Sequence, residues 1–199
     1  IPQGHLIFMN KIGVLALQGG VDEHIAALLS ASEKLATPIR IVEVRTPDDM
    51  ESLDGIVIPG GESTTIAKLM ERAGIWNKVS QVRKIMGTCA GAILLAKKVE
   101  GATLEQRFLA LMDIEIERNA YGRQLDSFEA NITTVFGTLP GVFIRAPHMH
   151  VAGKGVQPMA FHGEHVVAAY QKKMDKHYLA LTFHPELTTT RFHEFFIKL

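Results

Sequence analysis

Apolar side chains run almost without a break through residues 11–18 (KIGVLALQ), which predicts a strand buried on both faces. After the Gly19-Gly20 turn the spacing changes. Val21, Ile25, Leu28, Leu29 and Leu35 recur at helical intervals, which predicts a helix over 21–36 closed by Pro38. A second strand is expected at 39–45 (IRIVEVR), then a short helical turn opened by Pro47, Asp48 and Asp49. A third strand, 55–58 (GIVI), ends at Pro59-Gly60-Gly61, and Ser63 or Thr64 is expected to cap a helix reaching about Ala73. A short helix is expected at 77–83, a strand at 84–88 (KIMGT) and a helix at 90–98 (AGAILLAKK). Alternation of this kind predicts a parallel sheet with helices on both faces.

Beyond residue 100 the pattern turns to strands. Segments 113–118, 127–135, 142–145, 156–161, 165–171 and 178–183 all read as β, with few helices between them, so antiparallel additions to the sheet are expected. Residues 148–155 (HMHVAGKG) read as a variable loop, and 188–198 as a closing amphipathic helix.

Composition narrows the function classes. The 199 residues suit one domain, expected over 9–199, with 1–8 an appended or disordered leader before a start at Met9. Lys+Arg and Asp+Glu both number 21, so nothing points to a nucleic-acid binder or a polybasic membrane segment. No apolar run approaches the roughly 18 residues of a membrane span, and no basic, apolar secretory signal is visible. A single cysteine forbids an internal disulfide and fits a reducing, cytoplasmic setting.

That cysteine lies in Gly87-Thr88-Cys89-Ala90-Gly91, between a short strand and an apolar helix. The pattern is the cysteine counterpart of a nucleophile elbow. It sets sulfur at a helix N-terminus, where the dipole favours thiolate, and aims the Ala90 N–H towards the reacting carbon. A lone cysteine is more often a buried structural residue, but the flanking glycines and the strand–helix context favour the nucleophile. His184-Pro185-Glu186 follows the apolar strand YLALTF. Residues two apart in an extended segment point the same way, so Glu186 is expected to orient His184, which would act as acid and base for Cys89. Alone, a His-Pro-Glu would read as a surface turn. Pro59-Gly60-Gly61-Glu62-Ser63 offers bare N–H groups for an oxyanion at a strand's carboxyl end, where ligands of parallel sheets gather. Neither phosphate-loop pattern is present.

Placed together, these residues resemble the class I triad glutamine amidotransferases. More narrowly they resemble the glutaminase subunits of pyridoxal 5′-phosphate synthase, the PdxT/SNO family. The stretches are IGVLALQGGVDEH at 12–24, PGGEST at 59–64, GTCAGAILLA at 87–96, ERNAYGRQLDSFE at 117–129, FIRAP at 143–147 and FHPELT at 183–188, with Arg191 and His193 in the closing helix. ERNAYGRQLDSFE discriminates best. The resemblance implies a flavodoxin-like three-layer α/β sandwich, its central sheet mostly parallel with antiparallel additions. It implies Cys89 as nucleophile with His184 and Glu186, and oxyanion N–H groups from Gly61 and Ala90. Glutamine would be lined by Gly61, Glu62, Ser63, Arg118, Ile144 and Arg145. An arginine suits the α-carboxylate, and carboxylate or carbonyl groups suit the α-ammonium. It implies hydrolysis of L-glutamine to glutamate and ammonia without a cofactor, and delivery of ammonia to a synthase subunit in a hetero-oligomer with a ring-shaped core.

Thr189 and Thr190 stand where the family usually has acidic residues. A glutaminase of another synthase is disfavoured by RNAYGRQ, and a DJ-1/PfpI-type peptidase by Ala90, where that group carries histidine. A non-enzymatic binding module is disfavoured by the intact triad. The pairs His148/His150 and His162/His165 lack helical metal-ligand spacing, so no metal site is expected. His24 reads as helix packing or partner surface.

Overall fold

The computed structural model describes residues 9–118 and 127–199. The proposed leader 1–8 and positions 119–126 of the discriminating stretch lie outside the described residues. Five strands are mutually parallel in the order β2 (Ile39–Val44), β1 (Asn10–Leu15), β3 (Gly55–Ile58), β4 (Lys84–Thr88), β12 (Lys176–Leu181). From β12 the sheet continues antiparallel through β11 (His165–Lys173), β10 (Val156–His162), β7 (Ser127–Thr134) and β8 (Gly137–Ile144). A side branch joins β5 (Ala96–Glu100) to β6 (Met112–Glu117) in parallel, and β6 to β9 (His148–Val151) antiparallel.

The continuous apolar runs explain the parallel half. In β3 all four residues are buried, and successive side chains feed opposite cores. Ile56 and Ile58 pack with α2 (Ser63–Arg72), α3 (Trp76–Val79) and α4 (Ala90–Leu95); Val57 packs with α1 (Val21–Leu35) and α5 (Arg191–Lys198). The sheet is therefore the middle of three layers, as expected.

Four local expectations need correction. The helix after Cys89 ends at Leu95, and Ala96–Glu100 form β5 against β6, because the largely exposed Lys97–Glu100 suit an outer strand better than a buried helix. The segment at 148–155, read as a loop, begins with β9. The cap of α2 is Glu62, whose carboxylate accepts hydrogen bonds from Thr64 N and Thr65 N, not Ser63 or Thr64. Glu186 lies in a 3₁₀ turn over Pro185–Leu187, so it meets His184 through a turn and not along an extended segment. Ahead of α5, the Thr190 carbonyl accepts from Glu194 N, and its hydroxyl meets Glu194 Oε1 at 2.7 Å.

Candidate active site

Strand β4 runs between β3 and β12, so the carboxyl ends of all three meet. Cys89 follows β4, Gly60 and Gly61 follow β3, and His184 follows β12. The elbow is strained as its geometry demands. Cys89 has φ 49° and ψ −103°, a region non-glycine residues seldom occupy. The glycines around it permit the close turn. A Cβ on Gly91 would lie 2.1 Å from Ile58 O, and one on Gly87 would lie 2.5 Å from the Gly91 backbone. Gly60 supports the opposite wall, where a Cβ would fall 2.6 Å from His184 Cε1 and 3.4 Å from Cys89 Cβ.

Cys89 is nearly buried. Its sulfur lies 3.8 Å from the carbonyl of Ile144 and beside the His184 ring, on whose proton it acts. The far end of the sheet folds back to make that approach, since Val142 of β8 accepts the His184 N–H at 2.8 Å. On its other side, His184 Nδ1 meets Glu186 Oε1 at 2.7 Å. Burial opposes a charge on His184, but the hydrogen bonds to Cys89 and Glu186 and the charges of both outweigh it and raise the imidazole to about 10. The ring is thus prepared to carry a proton beside sulfur.

These residues open into a cleft of about 690 Å³. Its walls include Cys89, His184, Glu186, Gly61, Glu62, Ser63, Arg118, Ile144 and Arg145, nine of the ten residues that the sequence singled out. Ala90 lies behind Cys89 as the first residue of α4, where a helix has no intrahelical partner for its N–H. Glu62 faces two ways. Although partial desolvation opposes its charge, hydrogen bonds with Thr65 and Thr64 hold the exposed carboxyl down at about 2, and Arg118 Nη2 stands 3.7 Å away. Arg145 holds φ 45°, a left-handed turn that ends β8 at the cleft.

Several contributors were not expected from the sequence. Gln106 donates to Ser63 Oγ at 2.9 Å and accepts from Arg118 Nη1 at 2.7 Å, joining two cleft residues. Gln18 accepts the Glu62 N–H at 2.8 Å and so fixes the Gly61 turn. His24 is fully buried beside Thr88 and Glu186 and is no partner surface. Gln18 and His24 fall inside the 12–24 stretch, but the contacts that give all three their roles are made across long chain separations. Elsewhere, His148 stacks on His165 and His162 packs on Phe128 and Phe143, so the histidines pair differently from their order in the chain.

Comparison with known proteins bears on the family and the fold. The pyridoxal 5′-phosphate synthase subunit PdxT of Pyrococcus horikoshii is 45% identical over 196 residues, covering 94% of this chain and 98% of the relative. The PdxT subunit of Brevibacillus brevis is 47% identical over 196 residues, covering 95% and 96%. A solved structure described as a glutamine amidotransferase superposes with a TM-score of 0.80 at 40% identity, covering 94% of this chain and 97% of that one. An exo-β-1,4-mannosidase matches with a TM-score of 0.55 at 10% identity, which speaks to the fold alone. The model of the SNO glutamine amidotransferase family matches residues 14–199, and with relatives this similar over nearly the full length, the chain belongs to that family.

Proposed function

We propose that Cys89, His184 and Glu186 carry out the family's glutaminase reaction, the hydrolysis of L-glutamine to glutamate and ammonia, within one domain spanning 9–199. The observation that carries this assignment is that Cys89, His184 and Glu186 meet in one cleft, with Glu186 holding the His184 ring at 2.7 Å. The Cys89 thiolate attacks the side-chain amide carbon. The Gly61 and Ala90 N–H groups hold the oxyanion. His184 gives a proton to the departing ammonia, leaving a glutamyl thioester, then takes one from the water that cleaves it. Glu186 orients the ring throughout. Arg118 pairs with the substrate α-carboxylate, while the Glu62, Ser63, Ile144 and Arg145 positions enclose the rest. No cofactor takes part.

The relatives' names point to the destination of the ammonia, a synthase subunit that makes pyridoxal 5′-phosphate. The chain would dock on a ring-shaped core of that subunit in the cytoplasm; among the described residues no helix is long and apolar enough to cross a membrane. Glutaminase activity is expected to be low for the chain alone and to rise when the synthase subunit is added, since unpartnered turnover would waste ammonia. Glutamate release with and without that subunit, for the wild type and Cys89→Ala, tests both halves. Cys89→Ala should be inactive in either state. Strong turnover by the chain alone would refute the dependence on a partner, and turnover by Cys89→Ala would refute the nucleophile.

A further inference from the structure

Behind Glu186 stands a pair of histidines that the triad does not use. His24, on α1, and His193, on α5, are both sealed from solvent. His24 Nδ1 lies 3.0 Å from His193 Nε2. His24 Nε2 lies 3.0 Å from Thr88 Oγ1 and 3.5 Å from Glu186 Oε2. Glu186 Oε1 is engaged by His184, whereas the buried Oε2 has no hydrogen bond of good geometry, and neither has His193 Nδ1.

We propose that His24 is a positioning residue for the glutaminase reaction, its Nε2–H held against the outer oxygen of Glu186 by a tautomer that His193 fixes. The inference rests on the reading of Glu186 as the residue that orients His184.

The tautomers follow from counting donors and acceptors. With protons on both Nε2 atoms, His193 donates to His24 Nδ1, and His24 points an N–H between Thr88 Oγ1 and the carboxylate. Only the bare lone pair of His193 Nδ1 is left over. With protons on both Nδ1 atoms, a buried His193 N–H has no acceptor, and His24 aims a lone pair at an anion. The second arrangement strands a donor and adds repulsion, so the first is favoured. Both rings are neutral. Burial, then the neighbouring His193 and His184, drive His24 well below the ordinary histidine range, and burial drives His193 down to about 3. The titratable groups facing His24 are therefore His193 from α5, and His184 and Glu186 from the turn after β12.

A neutral donor suits this place. It keeps the carboxylate from turning and from pulling the shared proton off His184. It does so without cancelling the negative charge that holds His184 as the cationic partner of the thiolate. A cation in the same position would compete with His184 for Glu186.

The test compares His24→Leu, which removes the donor, with His24→Gln, whose amide restores an N–H near the Nε2 position. Two readouts are taken: the pH dependence of Cys89 alkylation by iodoacetamide, and kcat and KM for glutamine in the complex with the synthase subunit. In His24→Leu the acid limb of alkylation should move up by about one pH unit, and kcat should fall about tenfold with KM changed less than about twofold. His24→Gln should recover kcat to within about threefold of wild type. An unmoved limb with unchanged kcat in folded His24→Leu overturns the proposal, as does a His24→Gln variant no better than Leu. If His24→Leu does not fold, His193→Phe decides: a limb displaced the same way by a few tenths of a unit supports the relay, and one superimposed on wild type overturns it. Failure of glutamine turnover in the wild-type complex would sink the proposed function instead, while leaving the alkylation result readable.

Discussion

The two sides of the Glu186 carboxylate hold the same side chain under opposite conditions. On the cleft side, His184 loses solvation but gains Cys89 and Glu186 as partners, and its proton is held up to about 10. On the sealed side, His24 and His193 lose solvation and gain mainly each other, and both are pushed down, His193 to about 3. Burial has the same sign on all three rings. The partners decide which ring carries charge, and the carboxylate divides its two oxygens between a cation in front and a neutral donor behind.

Removing the divide should have the largest effect. Glu186→Gln should lower kcat by about 10³-fold with the fold intact, since the ring loses its orienting anion. Activity within tenfold of wild type would show that the turn, and not the charge, holds His184. Disturbing the front alone should cost less. In Gly60→Ala the new Cβ would sit 2.6 Å from His184 Cε1, and kcat should fall about 10²-fold as the ring is displaced from sulfur. A near-normal rate, measured by glutamate release, would mean that the loop yields without moving His184.

Probing the back should change stability with pH. His24 and His193 have lowered folded values, so their contribution is present above about 6.5 and is lost as pH falls through the folded values. His184 has a raised folded value, so its contribution is complete below about 6.5 and is lost as pH rises through about 10. As pH falls below about 6.5 the two sealed rings should together lower stability. His148 and His177, also lowered by burial first, add smaller effects of the same sign, while Glu62 and Asp113, held at about 2, act only at lower pH. Urea midpoints at pH 7 and 5 should therefore converge in His193→Phe, and an unchanged gap would place the acid sensitivity elsewhere. The smallest effect serves as a control away from both sides. Gln106→Leu leaves Ser63 and Arg118 without their shared partner and should raise KM about tenfold with little change in kcat. A kcat effect of equal size would tie Gln106 to the chemistry.

The parallel half was legible because its strands are buried on both faces, so their apolar runs speak for themselves: β3 matches the expected 55–58 and β4 the expected 84–88. The Cys89 elbow was legible because strain requires glycines on both sides, and those stand next to it in sequence. The branch β5–β6–β9 was hidden because its pairing runs across distant segments, and AILLAKK carries helical propensity into what becomes an outer strand. The cap of α2 was misread because Glu62 is not a usual capping residue, yet its longer side chain reaches the same amides. His24 was misread for a further reason. Its meaning depends on His193, 169 positions away, and no local pattern carries that distance.

That separation also bears on when the protein acquires its activity. His24 belongs to α1 and His193 to α5, so the contact closes only after the 169 positions that separate them have been made. A nascent chain that has folded its first strands can already expose Cys89, but it lacks His184, Glu186 and the back wall that steadies them. Synthesis order therefore keeps the thiol uncommitted until the fold is nearly complete, and a chain truncated before Arg191 would carry the nucleophile without its supported carboxylate.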